Sequence, residues 1–268
     1  MNSRLLHLVK WTMVSPYLLL WLVSCTVKED RRVCPCALEV SFHDSVTDKD
    51  SVILLGWSEE ELFDVRIDTE DYPEVYTQNT PRKIVSFGAI KGMGISIKIG
   101  HQLVTPEGHE CDSLYAYSEV IDCTGETAHT IVKFHKQFAT IHIGIVNTNY
   151  NPDDYSFVVT SHSCGIDILN YDAVAGDFRC EPYLYSEKEY RCRVTRQADD
   201  SLTLTAIHHT GDKAVFPLGK YISSIGYDWK ATELQDVYIT LDMSRGKIGV
   251  GIADWEIVED FELSTVEL

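Results

Sequence analysis

The sequence predicts an all-β protein of two β-sandwich domains in tandem. Three observations point there. Apolar and polar residues alternate along much of the chain, the spacing that puts every second side chain on one face of a strand. Turn-forming residues punctuate these short runs. Helical periodicity is weak everywhere except near 216–225 and 58–61, where short turns are expected.

In chain order, the alternation marks strands at 37–42 (Ala-Leu-Glu-Val-Ser-Phe), 62–67 (Leu-Phe-Asp-Val-Arg-Ile) and 95–99 (Ile-Ser-Ile-Lys-Ile). It returns at 130–134, 139–145, 157–159, 201–205, 237–241 and 247–250. Thr124-Gly125, Asn151-Pro152-Asp153-Asp154 and Ser244-Arg245-Gly246 separate runs of this kind, as in a sandwich. The polar stretch 147–154 follows the longest alternating run and divides the chain, giving an N-terminal sandwich over 37–150 and a C-terminal one over 151–268. Each holds about 110 residues, an ordinary domain size.

Residues 1–24 are expected to be a signal peptide: Arg4 and Lys10 precede an uncharged apolar stretch from Trp11 to Val23. At about 13 residues, interrupted by Pro16, it falls short of the roughly 20 needed to span a bilayer. Leu22-Val23-Ser24-Cys25 matches the bacterial lipobox, so Cys25 is the expected site of lipid attachment. The alternative is a secretory signal with a chance cysteine at the cleavage point. Residues 25–36 then form a tether whose Lys28, Glu29 and Asp30 resemble the signal that exports Bacteroidetes lipoproteins to the outer face of the outer membrane; a merely solvated charged linker is the plainer reading. Acyl chains contribute about 0.8 kcal/mol per buried methylene and anchor a chain without a spanning helix.

The chain has 268 residues, 23 Lys and Arg against 41 Asp and Glu, a formal charge of −18 and 44% apolar residues. That composition can bury a core and excludes disorder, and the scattered bases and excess carboxylate argue against nucleic acid as a partner. Of eight cysteines, Cys34, Cys36, Cys111, Cys123, Cys164, Cys180 and Cys192 remain after lipidation as candidates for disulfides in an oxidising compartment. Seven is odd, so at least one thiol stays unpaired in a monomer. Cys34-Pro35-Cys36 is too stiff and extended to bridge itself, and each sulfur is better placed to reach another strand, towards Cys111 or Cys123. A zinc site of Cys34, Cys36, His109 and Cys111 lacks the usual two-residue ligand gap.

No catalytic signature is present: there is no nucleophile elbow, phosphate loop, zincin helix or dinucleotide fingerprint, and Gly92-x-Gly94 and Gly249-x-Gly251 read as turns or close backbone contacts. His208-His209 looks like a metal pair, but neighbours in a strand face opposite ways, so both are expected to be exposed and unliganded. Ser161-His162-Ser163-Cys164 reads as a strand with a disulfide cysteine, not a nucleophile. Asn149, Asn151 and Asp153 alternate like calcium ligands, but Asp154 and Thr160 stand where that loop needs Gly and Glu, so a turn is expected. No metal, cofactor or catalytic residue is predicted. The 14 Tyr and 5 Trp are mostly sheet residues, with an exposed platform for glycans as the alternative.

Lipobox, acidic tether, Cys-Pro-Cys entering the first alternating strand and His135-Lys136-Gln137-Phe138-Ala139-Thr140-Ile141 together resemble the fimbrial anchor proteins and minor fimbrial subunits of Bacteroidales. Phe216-Pro217-Leu218-Gly219-Lys220-Tyr221-Ile222, 234–240 and Ile252-Ala253-Asp254-Trp255 add to the likeness. The resemblance implies tandem transthyretin-like, Greek-key sandwiches on a surface-exposed lipoprotein of the outer membrane. It implies fimbrial subunits as partners, joined by donation of a β-strand, and no enzymatic activity. It also implies that Arg31-Arg32, where a stalk subunit is trimmed by an Arg-directed protease, stays intact in an anchor. Asp-Ser followed by an apolar residue, at Ser45, Ser51, Ser113 and Ser201, resembles the O-glycosylation sequon of Bacteroides exported proteins; Asp-Ser turn chemistry explains it equally. A surface glycan-binding lipoprotein of a polysaccharide-uptake system is the alternative function.

Overall fold

A computed structural model describes residues 34–43, 51–67, 75–146, 150–242, 247–253 and 264–266, the last two segments by their backbone. The described residues are all-β in class and form four sheets. In the first, β1 (Cys36–Phe42) lies between β4 (Val75–Thr80) and β9 (Thr127–Val132), antiparallel to the former and parallel to the latter. The second is antiparallel and runs β10 (His135–Lys136), β8 (Tyr115–Asp122), β5 (Ile84–Lys91), β2 (Val52–Trp57) and β3 (Glu61–Ile67). Alternation works here as expected: Cys36, Leu38 and Val40 of β1 and Ala128 and Val132 of β9 point inward onto Val52, Leu54, Val85 and Phe87.

The third sheet runs β14 (Tyr183–Ser186), β15 (Glu189–Thr195), β11 (Phe138–Ile145), β18 (Asp236–Asp242), β19 (Lys247–Ala253) and β20 (Ser264–Val266). The fourth is organised by the 13-residue β12 (Tyr155–Asp167), which pairs with β16 (Thr203–His208), with β13 (Ala173–Cys180) and, at its far end, with β7 (Gln102–Val104). Outside these lie β17 (Lys213–Phe216) against β16 and β6 (Ile97–Ile99) against β7. Ile141, Ile143, Val159, Leu204, Val237 and Ile239 are among the residues filling the core between the third and fourth sheets. The single α-helix of the described residues, α1 (Leu218–Ser224), follows Pro217 and buries Leu218 and Ile222 there.

The sheets do not divide the chain at residue 150. Residues 138–145 form a strand inside the third sheet, and the 97–104 hairpin joins the fourth. The run Val52-Ile53-Leu54-Leu55 is buried on both faces: Val52 and Leu54 face the first sheet, while Ile53 and Leu55 pack with Ile90, Leu103, Leu114, Ile166 and Ile168. This third apolar cluster joins the two sheet pairs. A continuous apolar run without alternation is what such double burial requires. Arg196, 2% exposed, reinforces the junction by donating to Gln137 Oε1 (2.9 and 2.6 Å) and to the carbonyls of Trp229 (2.8 Å) and Thr232 (3.2 Å).

Candidate functional site

The β6 edge presents an exposed apolar strand surface. β6 pairs with β7 on one side, and no described strand pairs with its other side. Ile95, Ile97 and Ile99 project at period two and are 44%, 54% and 60% exposed, while Ser96 between them is buried. Lys98 turns the other way, reaching Asp64 (2.5 Å) and Glu61 (3.7 Å) of β3. The polar residues of this strand therefore face the protein and the isoleucines face solvent, inverting the usual arrangement.

The inversion has identifiable causes. Asp112 accepts hydrogen bonds from the backbone N–H groups of Gly94 (2.9 Å), Ile95 (3.0 Å) and Ser96 (2.8 Å), fixing the segment that leads into β6. Burial raises the Asp112 pKa, but the Ser96 hydroxyl and the N–H groups of Ile95, Ser96 and Gly94 outweigh it and hold the carboxyl below its ordinary value. At the hairpin turn, His101 packs edge-on against Trp57 (4.9 Å), with its Nδ1 2.8 Å from an Asp167 carboxylate oxygen. Gly165 of β12 admits β7: a Cβ there would lie 2.1 Å from the Leu103 carbonyl oxygen.

A second surface lies on the third sheet. Register aligns Tyr183, Arg191, His142 and Tyr238 as one row across four strands. His142 and Tyr238 stack at 4.2 Å and 8°, and the Arg191 guanidinium sits 3.2 Å from the Tyr185 ring centroid. Tyr183 and Tyr185 are half exposed. Glu189 accepts from Arg191 (2.6 Å) and lies 3.0 Å from His142 Nδ1; burial pushes its pKa up, but these bonds outweigh it and hold its carboxyl below the ordinary range.

Cys25, Lys28, Glu29, Asp30, Arg31, Arg32 and Ser45 lie outside the described residues. The expected disulfides are not formed: Cys34, Cys36, Cys111, Cys123, Cys164, Cys180 and Cys192 are all free thiols, Cys34 exposed and the others buried. Cys36 does approach Cys123, as its strand position suggested. Burial, with the neighbouring Cys36, pushes the Cys123 thiol up to about 12. The hydrogen bond with Cys180, then burial, raises Cys192 well above the ordinary thiol value, and burial does the same for Cys111. The Cys34, Cys36, His109, Cys111 quartet is not brought together as a ligand set among the described residues.

Of the Asp-Ser positions, Ser113 accepts from Arg193 (2.5 Å), Ser201 Oγ accepts from the His162 N–H (2.9 Å), and Ser51 is half-buried before β2. His162 is exposed beside Asp199 while Cys164 is buried, so the two make no catalytic pair. Asn151 caps a 3-10 turn over Pro152–Asp154, the turn read from the sequence. His208 and His209, however, do not face opposite ways: their ring centroids are 4.1 Å apart. β16 ends at His208, so strand parity no longer applies to His209.

No protein-family model and no curated protein matches the chain. Solved structures do match. The fimbrial anchor protein Mfa2 from Porphyromonas gingivalis superposes with a TM-score of 0.57 at 12% identity, over 83% of this chain and 98% of that one. A candidate polysaccharide-binding protein from Bacteroides thetaiotaomicron gives 0.59 at 12% identity, over 82% and 96%. A candidate adhesin from Bacteroides ovatus gives 0.58 at 11%, over 87% and 96%. The structural neighbours are thus fimbrial, adhesin and candidate polysaccharide-binding proteins of Bacteroidales, and at these identities the likeness is one of fold.

Proposed function

We propose that this chain is the anchor or a minor subunit of a fimbrium, with fimbrial subunits as its partners and the cell surface as its location. In this reading the two sheet pairs are tandem transthyretin-like sandwiches. Cys25 carries the lipid that holds the chain in the outer membrane, and Lys28, Glu29 and Asp30 direct it to the outer face. The next subunit is joined by adding an extended strand to the free edge of β6. The observation that carries the proposal is the outward Ile95, Ile97, Ile99 ladder on that edge. An incoming strand would pair its main chain with β6 and cover the isoleucines with alternate side chains, the usual division of affinity and register in strand addition. Each isoleucine contributes about 1.5–3 kcal/mol on full burial.

The test is co-isolation from detergent-extracted outer membranes. Wild-type chain is expected to bring down fimbrial subunits, and the Ile97→Asp, Ile99→Asp double variant to lose them while keeping its fold. Cys25→Ser is expected to release the chain from the membrane fraction. A wild-type chain that emerges without other subunits overturns the proposal.

The row Tyr183, Arg191, His142, Tyr238 supports a second reading, a surface glycan-binding lipoprotein, since flat aromatic faces flanked by a guanidinium suit sugar rings. Binding of a soluble polysaccharide that Tyr183→Ala with Tyr185→Ala abolishes would favour it.

A further inference from the structure

At the opposite end of β12 from the β6 hairpin, roughly 40 Å away at 3.3 Å per residue, two loops bring together Asp154, His208 and His209. One ring nitrogen of each histidine and one carboxylate oxygen of Asp154 all lie within 4.8 Å of one another, the one such cluster among the described residues. The geometry follows from two local features. The hairpin from β16 to β17 turns through Gly211, whose φ of +95° suits glycine, and this carries His209 out of the strand. The His209 N–H then donates to the Asp154 carbonyl (2.8 Å), placing its Nδ1 3.7 Å from the Asp154 carboxylate.

We propose that Asp154, His208 and His209 form a binding site for a divalent transition cation of the zinc class. Two imidazoles and one carboxylate are the donor set such ions take, with the fourth position left to water. Ligands about 2.0 Å from a tetrahedral ion stand roughly 3.3 Å apart, so the observed cluster closes with side-chain adjustments of about 1 Å. His208 also has outer support. Its Nδ1 lies 2.7 Å from the Thr210 hydroxyl, which donates to Asp212 (2.8 Å). The Thr210 N–H also points at Nδ1 (3.4 Å), so the turn holds the ring in one orientation. Tyr155 packs against the same ring at 4.9 Å. The chain's net charge of −18 adds a general attraction for cations.

Zinc chloride titrated by calorimetry into tag-free protein tests this, in a Cys34→Ser background so that the exposed thiol does not compete. One saturable site is expected. His208→Gln and His209→Gln should each weaken it at least tenfold, and His162→Gln, an exposed histidine beside a carboxylate, should leave it unchanged. Thr210→Val, which keeps every ligand, should weaken binding about tenfold by freeing the ring. Imidazole NMR of the wild type should show shifts confined to His208 and His209. No saturable binding up to about 1 mM, or equal binding by the His208→Gln, His209→Gln double variant, overturns the proposal.

Discussion

Asp112→Asn is the sharpest probe of the β6 edge. The carboxylate is 8% exposed and its two oxygens accept three backbone N–H groups, from Gly94 and Ser96 at Oδ2 and from Ile95 at Oδ1. An amide has one accepting oxygen. If that oxygen takes the Oδ2 place, the Ile95 N–H faces an NH2 group and its charge-assisted bond is lost, about 1.5–3 kcal/mol. Because Asp112 tethers only the segment leading into β6, the loss should be local. Hydrogen exchange of the β6 and β7 amides is expected to accelerate about 10- to 150-fold, with the third-sheet amides unchanged. The pH dependence follows from the lowered pKa. A carboxyl whose folded pKa lies below its unfolded value of about 3.9 contributes stability above that value and loses it as pH falls through the folded pKa. Wild-type β6 should therefore lose protection only in acid below about pH 4, a step the Asn variant lacks. Equal exchange of β6 in both proteins at neutral pH would refute the assignment of Asp112 as the clamp.

Three further expectations follow from the packing. Arg196→Met should lower stability by about 1–3 kcal/mol, read from urea unfolding, because Gln137 Oε1 and the Trp229 carbonyl lose their buried donor while the Thr232 carbonyl keeps Gln137 Nε2; a change under about 0.5 kcal/mol would refute it. Gly165→Ala should cost about 1–3 kcal/mol and free β7 from β12, since its Cβ meets only Leu103 and Val104 backbone. Gly125→Ala, with 3.6 Å to its nearest neighbour, should stay near neutral in the same thermal melts. Iodoacetamide under native conditions should label Cys34 alone among the described cysteines, with Cys111, Cys123 and Cys192 reacting only after denaturation, as burial and raised thiol pKa values require; mass spectrometry that finds Cys111 labelled at the rate of Cys34 would contradict it.

Alternation revealed β1, β3, β11 and β18 because each has one buried and one wetter face. It missed β2, an apolar run buried on both sides, and β4, whose Tyr-Thr-Gln-Asn stretch is polar at an edge. The place where sheets change partners was also hidden, since the hairpin 97–104 and the strand 138–145 join sheets by long-range pairing that no local pattern encodes. Period gives spacing but not direction. Residues 95–99 were legible as a strand, yet nothing local says that Ser96 and Lys98 face inward; that depends on Asp112 and Asp64, 16 and 34 positions away in the chain. The histidine pair was misread for a related reason, because parity was carried one residue past the end of β16 into a turn set by Gly211. The free thiols were invisible because cysteine count reports opportunity and not separation.

Several other sheet edges bear on the reading of β6. An unpaired strand invites association, and proteins ordinarily protect it with charge, brevity or a bulge. β3 carries Glu61, Asp64 and Arg66, β10 is two residues long, β17 opens with Lys213, and β14 is irregular where it meets β15, with Arg191 seated over Tyr185. β6 has the protective lysine, but Lys98 is turned inward and neutralised by Asp64 and Glu61, so the charge that would repel another strand is withdrawn from the edge. Three outward isoleucines held by a buried carboxylate are an energetic liability in an isolated chain and an asset only when a second strand covers them. The same residues that tether the hairpin to the junction therefore hold this edge open, which would lower the ordering cost for the incoming strand proposed above.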